Sequence, residues 1–275
     1  MEKRYDLKND GVEMIQYPPE LHDSIEKTAK LWQAFCMLPA DIKEAFSASD
    51  EQWTMGYEAK DGSGKNGDKK ENFDITKAVL DELSRIAKRV DNPIVWQFVD
   101  AVRDLGVAII PMIEAFGQSI ENKYDIEDFE RLAKESAPEA FIRFLHYPGG
   151  RSVNDIIAEP HVDHSGYTFH LYETTEGCER LTFDGTWQSL PVAEGQAAAF
   201  AGMQSQLISK GEIKGLTHRV LANETSSKMG RYAIVCFVAL KGVAGYDRKT
   251  HGRLQEKTPG FNYAMNAEEF ATLFK

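Results

Sequence analysis

The residues in this sequence best suited to chemistry lie in one short run, Glu159-Pro160-His161-Val162-Asp163-His164-Ser165-Gly166. On an extended strand, residues i and i+2 project to the same side. His161 and Asp163 can therefore bring an imidazole and a carboxylate to one point in space. A third donor must come from elsewhere. His218, in Gly215-Leu216-Thr217-His218-Arg219-Val220-Leu221, is the candidate, 218 − 163 = 55 positions after Asp163. That separation has room for several hairpins, enough to return a strand alongside. Two histidines and one carboxylate leave one face of a metal open, which lets iron(II) take an oxidisable co-substrate and O₂ together. The open face and the lack of a cysteine donor favour iron(II) over zinc. His-X-Asp alone is a weak signal, since a lone histidine is more often structural or on the surface. The set of residues carries the reading.

Arg231 extends the set. It lies 231 − 218 = 13 positions after His218 and opens the apolar run Arg231-Tyr232-Ala233-Ile234-Val235-Cys236-Phe237. A charge at the head of a buried strand needs a partner. A guanidinium binds a carboxylate through two parallel hydrogen bonds. Arg231 can thus anchor the distal carboxylate of 2-oxoglutarate, or else form an internal salt bridge with an Asp or Glu.

These residues must be positioned by a fold. The chain has 275 residues, 42% of them hydrophobic, enough to bury a core. Its first part, 1–137, reads mainly helical. Leu21–Met37 carries an apolar stripe and Leu38-Pro39 breaks it. Thr76–Val90 and a long helix from Pro93 to about Ile120, with Pro111 inside it, follow, then a shorter helix after Asp125 as N-cap. Residues 61–68 read as loop. From 138 to 245 the texture is that of many short strands. Phe141–Tyr147, Tyr167–Tyr172, Arg180–Phe183, Ala197–Ala201, Gln206–Ile208, Leu216–Leu221 and Arg231–Leu240 are the candidates. A tail, 246–275, ends in a helix capped by Asn266 with Glu269 three residues on. The expected class is α+β, a single domain with a β sandwich or barrel at its core. No βαβ alternation suggests a Rossmann fold.

The net charge is −11, and no basic run exceeds Lys69-Lys70, so nucleic acid and anionic membranes are not expected partners. A small molecule is. The three cysteines are scattered without a pairing motif, no signal-like or spanning apolar run is present, and a cytoplasmic location is expected.

The sequence resembles the isopenicillin N synthase-like branch of the 2-oxoglutarate/Fe(II)-dependent dioxygenases. Leu38-Pro39 with Lys43, Gly56-Tyr57, Lys70-Glu71-Asn72-Phe73-Asp74 and Arg143-Phe144-Leu145-His146-Tyr147-Pro148 resemble its "LP…K", "GY", "KE-x-FD" and "R-x-x-x-YP" segments. His161-Val162-Asp163, Asp184-Gly185-Thr186-Trp187, Gly195, Gly202 and Thr217-His218-Arg219-Val220 follow in order, over roughly 10 to 245. The resemblance implies a double-stranded β-helix, or jelly roll, flanked by helices. It also implies Fe(II), 2-oxoglutarate and O₂ as the reactants at the metal, and places Tyr147 beside the co-substrate. Trp53, Tyr57, Phe73 and Phe237 would line a substrate cavity. Asp163 stands where related halogenases have a small residue, so the resemblance implies hydroxylation, desaturation or cyclisation.

One departure stands out. The family pattern R-x-S is Arg231-Tyr232-Ala233 here, and a lost hydrogen bond to a charged group costs roughly 1.5–3 kcal/mol. An oxidase of the same branch that works without 2-oxoglutarate is therefore an alternative. So are a zinc hydrolase built on His161, Asp163 and His164, and a non-catalytic jelly-roll binding module. His164 is either turned toward substrate or structural. His146, beside Tyr147, is a weak pocket candidate, and His170 and His251 read as structural or surface residues.

Overall fold

The computed structural model describes residues 5–47, 55–62, 69–209 and 211–243. In chain order these form α1 (Leu7–Asp10), β1 (Val12–Gln16), α2 (Pro19–Cys36), α3 (Ala40–Glu44), β2 (Gly56–Asp61), β3 (Lys69–Ile75), α4 (Leu80–Val90), α5 (Pro93–Ala108), α6 (Ile110–Tyr124) and α7 (Phe129–Ser136). There follow β4 (Phe141–Tyr147), β5 (Ile156–His161), β6 (Tyr167–Glu173), β7 (Cys178–Leu181), β8 (Trp187–Ser189), β9 (Gln196–Ala201), α8 (Met203–Ile208), β10 (His218–Leu221), α9 (Glu224–Met229) and β11 (Arg231–Val238).

The strands make two antiparallel sheets. One runs β1-β9-β6-β11-β4-β3-β2 and the other β5-β10-β7-β8. The two sheets face each other as a jelly roll, and helices cover the outer face of the larger one. Strand alternation decides which residue meets which layer. On β4, Ile142 and Phe144 join the helix-side core, while Leu145 and Tyr147 pack with Ile157, Ala158, Val220, Ala222 and Ala233 between the sheets. Trp32 of α2 is fully buried at the helix layer, and its indole N–H donates to the Leu145 carbonyl at 3.1 Å. It sits among Phe35, Phe73, Phe98 and Phe144, so the aromatic cluster fastens α2 and α5 to β3 and β4. Burying such rings contributes the bulk of the adhesion between these layers.

Several expectations need correction. The stretch 93–120 is two helices, because the chain breaks at Ile109 and Pro111 falls in the first turn of α6, where its missing N–H costs nothing. Asp125 does not start a helix. It closes α6 in the left-handed conformation, φ 54°. Gln206–Ile208 is the end of helix α8, not a strand. The Gly56-Tyr57 and Lys70–Asp74 segments are the hairpin β2/β3, whose polar outer residues hid the strand pattern. From the N-terminal stretch, β1 pairs with β9 and completes the far edge of the larger sheet. Trp53, the 63–68 part of the loop, His251 and the tail helix with Asn266 and Glu269 lie outside the described residues. Among the described residues, no helix is long and apolar enough to cross a membrane.

Candidate metal centre

His161 is the last residue of β5 and His218 the first of β10, and the two are register partners in the smaller sheet. Their ring centroids lie 4.3 Å apart. Asp163 is not on the strand but two residues past its end, in a turn held by the Met203 N–H donating to the Asp163 carbonyl at 2.8 Å. Val162 between them is buried, which turns the flanking donors the other way. Gly202 permits this close approach, since a Cβ there would collide with the Ser165 carbonyl at 2.1 Å. The result brings one donor atom from each of His161, Asp163 and His218 within 4.8 Å of the others.

Both imidazoles are oriented. Nδ1 of His161 donates to the Glu159 carbonyl at 2.7 Å, and Nδ1 of His218 to the Leu216 carbonyl at 3.2 Å. With that tautomer each Nε2 keeps its lone pair for a metal. The Asp163 carboxylate is shared: the Thr168 hydroxyl donates to Oδ2 at 2.5 Å, and Oδ1 faces Nε2 of His161 at 3.5 Å. Burial alone would raise the Asp163 pKa. The adjacent His218 and His161 and the Thr168 hydroxyl outweigh it and hold the carboxyl well below the usual range. Burial, with His161 beside it, brings His218 down to about 4. The site thus offers one anion and a neutral imidazole in a largely dry wall, while the His161 side chain remains 45% exposed at the opening. His164 is exposed on the turn and is not one of the three donors.

Arg231 sits deeper between the sheets, across from Tyr147 in the β11–β4 ladder. Its Nη2 donates to Glu173 at 2.6 Å, and its Nε to the Thr175 carbonyl at 3.1 Å. The internal ion pair that the sequence left open is therefore formed. Tyr147 is buried in the same inner cluster. His170 is not a surface residue: it lies 3.4 Å from the Arg231 guanidinium, and burial together with that charge brings its pKa to about 4. Glu173 was missed, as were the roles of Thr168 beside Asp163 and of His170 beside Arg231. The signal was present in Tyr167–Tyr172, where polar Thr168 and His170 alternate with Tyr167, Phe169 and Leu171.

Of the four aromatic cavity candidates, Phe237 faces the inner space. It stacks on Phe141 at 5.3 Å, with the Arg143 guanidinium over both rings. Arg143 is held by a two-pronged bond to Asp74 at 2.8 and 2.7 Å. Tyr57 and Phe73 belong to the helix-side core instead. His146, next to Tyr147, points to that side too, bonding Glu71 at 2.9 Å and stacking on Tyr232 at 4.2 Å.

Residues 138–239 match the sequence model of the 2OG-Fe(II) oxygenase superfamily. A gibberellin 2-beta-dioxygenase from Phaseolus coccineus is 26% identical over 141 residues, 50% of this chain and 41% of that protein. The match thus spans about two fifths of the length of that relative. Among solved structures, a full-length Neurospora crassa protein in complex with alpha-KG superposes with a TM-score of 0.70 at 17% identity, covering 98% of this chain and 87% of that one. The 2-oxoglutarate complex of a dioxygenase for auxin oxidation from Arabidopsis thaliana gives a TM-score of 0.68 at 15% identity, covering 88% and 87%. These structural likenesses establish the jelly roll as the fold.

Proposed function

We propose that the chain is an Fe(II)- and 2-oxoglutarate-dependent dioxygenase that oxidises a small molecule by hydroxylation, desaturation or cyclisation. The observation that carries this reading is the convergence of donor atoms of His161, Asp163 and His218 to within 4.8 Å of one another. The donor set fits iron(II), with two imidazole nitrogens, one carboxylate and no thiolate. When bound, iron(II) and 2-oxoglutarate supply oxidation by O₂ with loss of succinate and CO₂.

The chain's own part is positioning. Backbone carbonyls of Glu159 and Leu216 hold the two imidazole rings in register. Thr168 fixes one oxygen of Asp163 and leaves the other beside Nε2 of His161, where it would serve as a ligand. Arg231, across from Tyr147 on the neighbouring strand, would supply the polar partner for the co-substrate, and Phe237 with Phe141 apolar surface. Acidic composition and the lack of a basic run support a small-molecule partner rather than nucleic acid. Cys36, Cys178 and Cys236 are all free and buried, which supports a reducing, cytoplasmic location.

One observation favours a second reading, an iron oxidase of the same fold that does without 2-oxoglutarate: the guanidinium expected to receive the co-substrate already holds Glu173, beside Ala233 instead of a hydroxyl. Anaerobic titration of the Fe(II)-loaded protein with 2-oxoglutarate separates the two. A visible charge-transfer band of the chelate that disappears in His161→Ala supports the dioxygenase. Iron binding without any band removes 2-oxoglutarate from the assignment.

A further inference from the structure

Deep between the sheets, one cation faces one anion. Side chains of Arg231 and Glu173 are 2% and 3% exposed, and their bond is 2.6 Å long. Glu173 reaches Arg231 because its register partner on β11 is Ala233, whose methyl leaves the intervening space to the carboxylate. The other oxygen of Glu173 accepts from the Val192 N–H at 3.2 Å, so the carboxylate is held from both sides. His170 contributes no further positive charge, since its imidazole is neutral there at pH 7. This part of the space between the sheets therefore carries no net charge, although it contains the arginine.

We propose that Glu173 is a specificity-determining residue that competes with the distal carboxylate of the keto-acid co-substrate for Arg231. This inference rests on the dioxygenase reading above. An incoming dicarboxylate meets a guanidinium already neutralised by the protein. It gains its second anchor only by displacing Glu173 or by sharing Arg231 with it, and in either case like charges approach in a dry site. Recognition of 2-oxo acids is then carried mostly by the metal end, and the barrel discriminates weakly between a 2-oxo acid with a distal carboxylate and one without.

The test compares 2-oxoglutarate with 2-oxopentanoate, which has the same five-carbon chain but ends in a methyl group. Calorimetric titration of the Fe(II)-loaded protein under nitrogen gives both dissociation constants. A charge-assisted pair to an unoccupied arginine separates two such ligands by about a hundred-fold. The wild type is expected to separate them by less than about thirty-fold. In Glu173→Gln, which keeps the acceptor for the Val192 N–H but loses the charge, 2-oxoglutarate tightens at least ten-fold while 2-oxopentanoate is unchanged. A wild-type ratio above thirty-fold overturns the proposal, and this arm needs no variant to fold. So does a Glu173→Gln protein in which 2-oxoglutarate binds equally or more weakly, because Glu173 then orients the arginine instead of competing for it. If the metal binds but neither keto acid does, in wild type or variant, the dioxygenase reading itself falls.

Discussion

Among the described residues, two places gather three metal-binding side chains, each set with its donor atoms within 4.8 Å of one another. One is His161, Asp163 and His218. The other is Cys36, Glu71 and His146, on the helix side of the larger sheet. By residue type, the cysteine-containing set is at least as good a group of ligands. The difference is a lysine. Lys43 places its ammonium on Glu71 and donates to the Cys36 carbonyl at 3.1 Å, while the Tyr57 hydroxyl donates to the same carboxylate at 2.7 Å. The cation that such a cluster would need is already built in. Burial, followed by the charge of Glu71, pushes the Cys36 thiol far up, so no thiolate is on offer. At the other set, the Asp163 carboxylate meets a hydroxyl and two imidazoles where Glu71 meets an ammonium. A metal site is thus recognised less by the donors it gathers than by whether the protein has already supplied them with a positive charge.

The largest expected effect comes from removing donors of the set that lacks a lysine. Asp163→Ala and His161→Ala should lose stoichiometric Fe(II) and all turnover, whereas Cys36→Ala and His146→Ala should keep full metal content by elemental analysis. Metal loss in Cys36→Ala would show that the lysine does not silence its set. A change at Lys43 tests the same point from the other side. Lys43→Ala leaves Glu71 without its ammonium, at a cost of roughly 2–4 kcal/mol in unfolding free energy, discounted because the pair is not fully dry. Zinc should then raise the variant's melting temperature but not the wild type's, since Glu71, His146 and Cys36 now lack a cation. No zinc response in the variant would show that the donors cannot rotate into a ligand geometry.

Acid should read the same network. Burial alone would raise the Glu71 pKa from 4.5, but hydrogen bonds from His146, Lys43 and Tyr57 bring it down to about 2. A carboxyl depressed in the folded state contributes stability above its unfolded pKa and loses it as pH falls toward the folded one. The contribution is on the order of 3 kcal/mol at neutral pH. Urea unfolding should therefore find the gap between wild type and Glu71→Gln constant above about pH 5 and closing between 4.5 and 2. A gap that does not change across that window contradicts the network.

The two clusters were unequally legible in the sequence. The His161 set was readable because its spacing is local: His161 and Asp163 are two residues apart, and His218 opens a strand that pairs with β5. Lys43, Glu71 and Arg143 were seen only as fragments of family segments, and Tyr57 as one of these and as a cavity candidate. In three dimensions they clamp the β2/β3 hairpin from both faces. Lys43 and Tyr57 hold Glu71 on the helix side, and Arg143 holds Asp74 on the other. Nothing in a linear pattern pairs a lysine with a glutamate 28 positions away. Strand alternation did contain one unused answer. Neighbours on β4 face opposite layers, so Tyr147 inside the barrel requires His146 outside it. The Arg231–Glu173 pair was beyond reach for another reason: a register shift between Ile234 and Val235 decides which β6 side chain comes level with Arg231.

The smallest expected effect concerns how the His161 set keeps its carboxylate aimed. Thr168 is buried on β6, and its hydroxyl donates directly to Asp163. Without it the carboxylate can rotate away from the position in which Oδ1 faces Nε2 of His161. Outer hydrogen bonds of this kind are worth about 10–100-fold in metal affinity or activity. Thr168→Val, nearly the same shape without the hydroxyl, should weaken Fe(II) binding about ten-fold in a chelator competition while leaving the fold intact by circular dichroism. Thr168→Ser should restore it. If Thr168→Val binds iron as tightly as wild type, the Asp163 carboxylate is set by its turn alone, through the Met203 N–H and the close packing at Gly202. The aim of the carboxylate would then be a property of the barrel's backbone rather than of one hydroxyl.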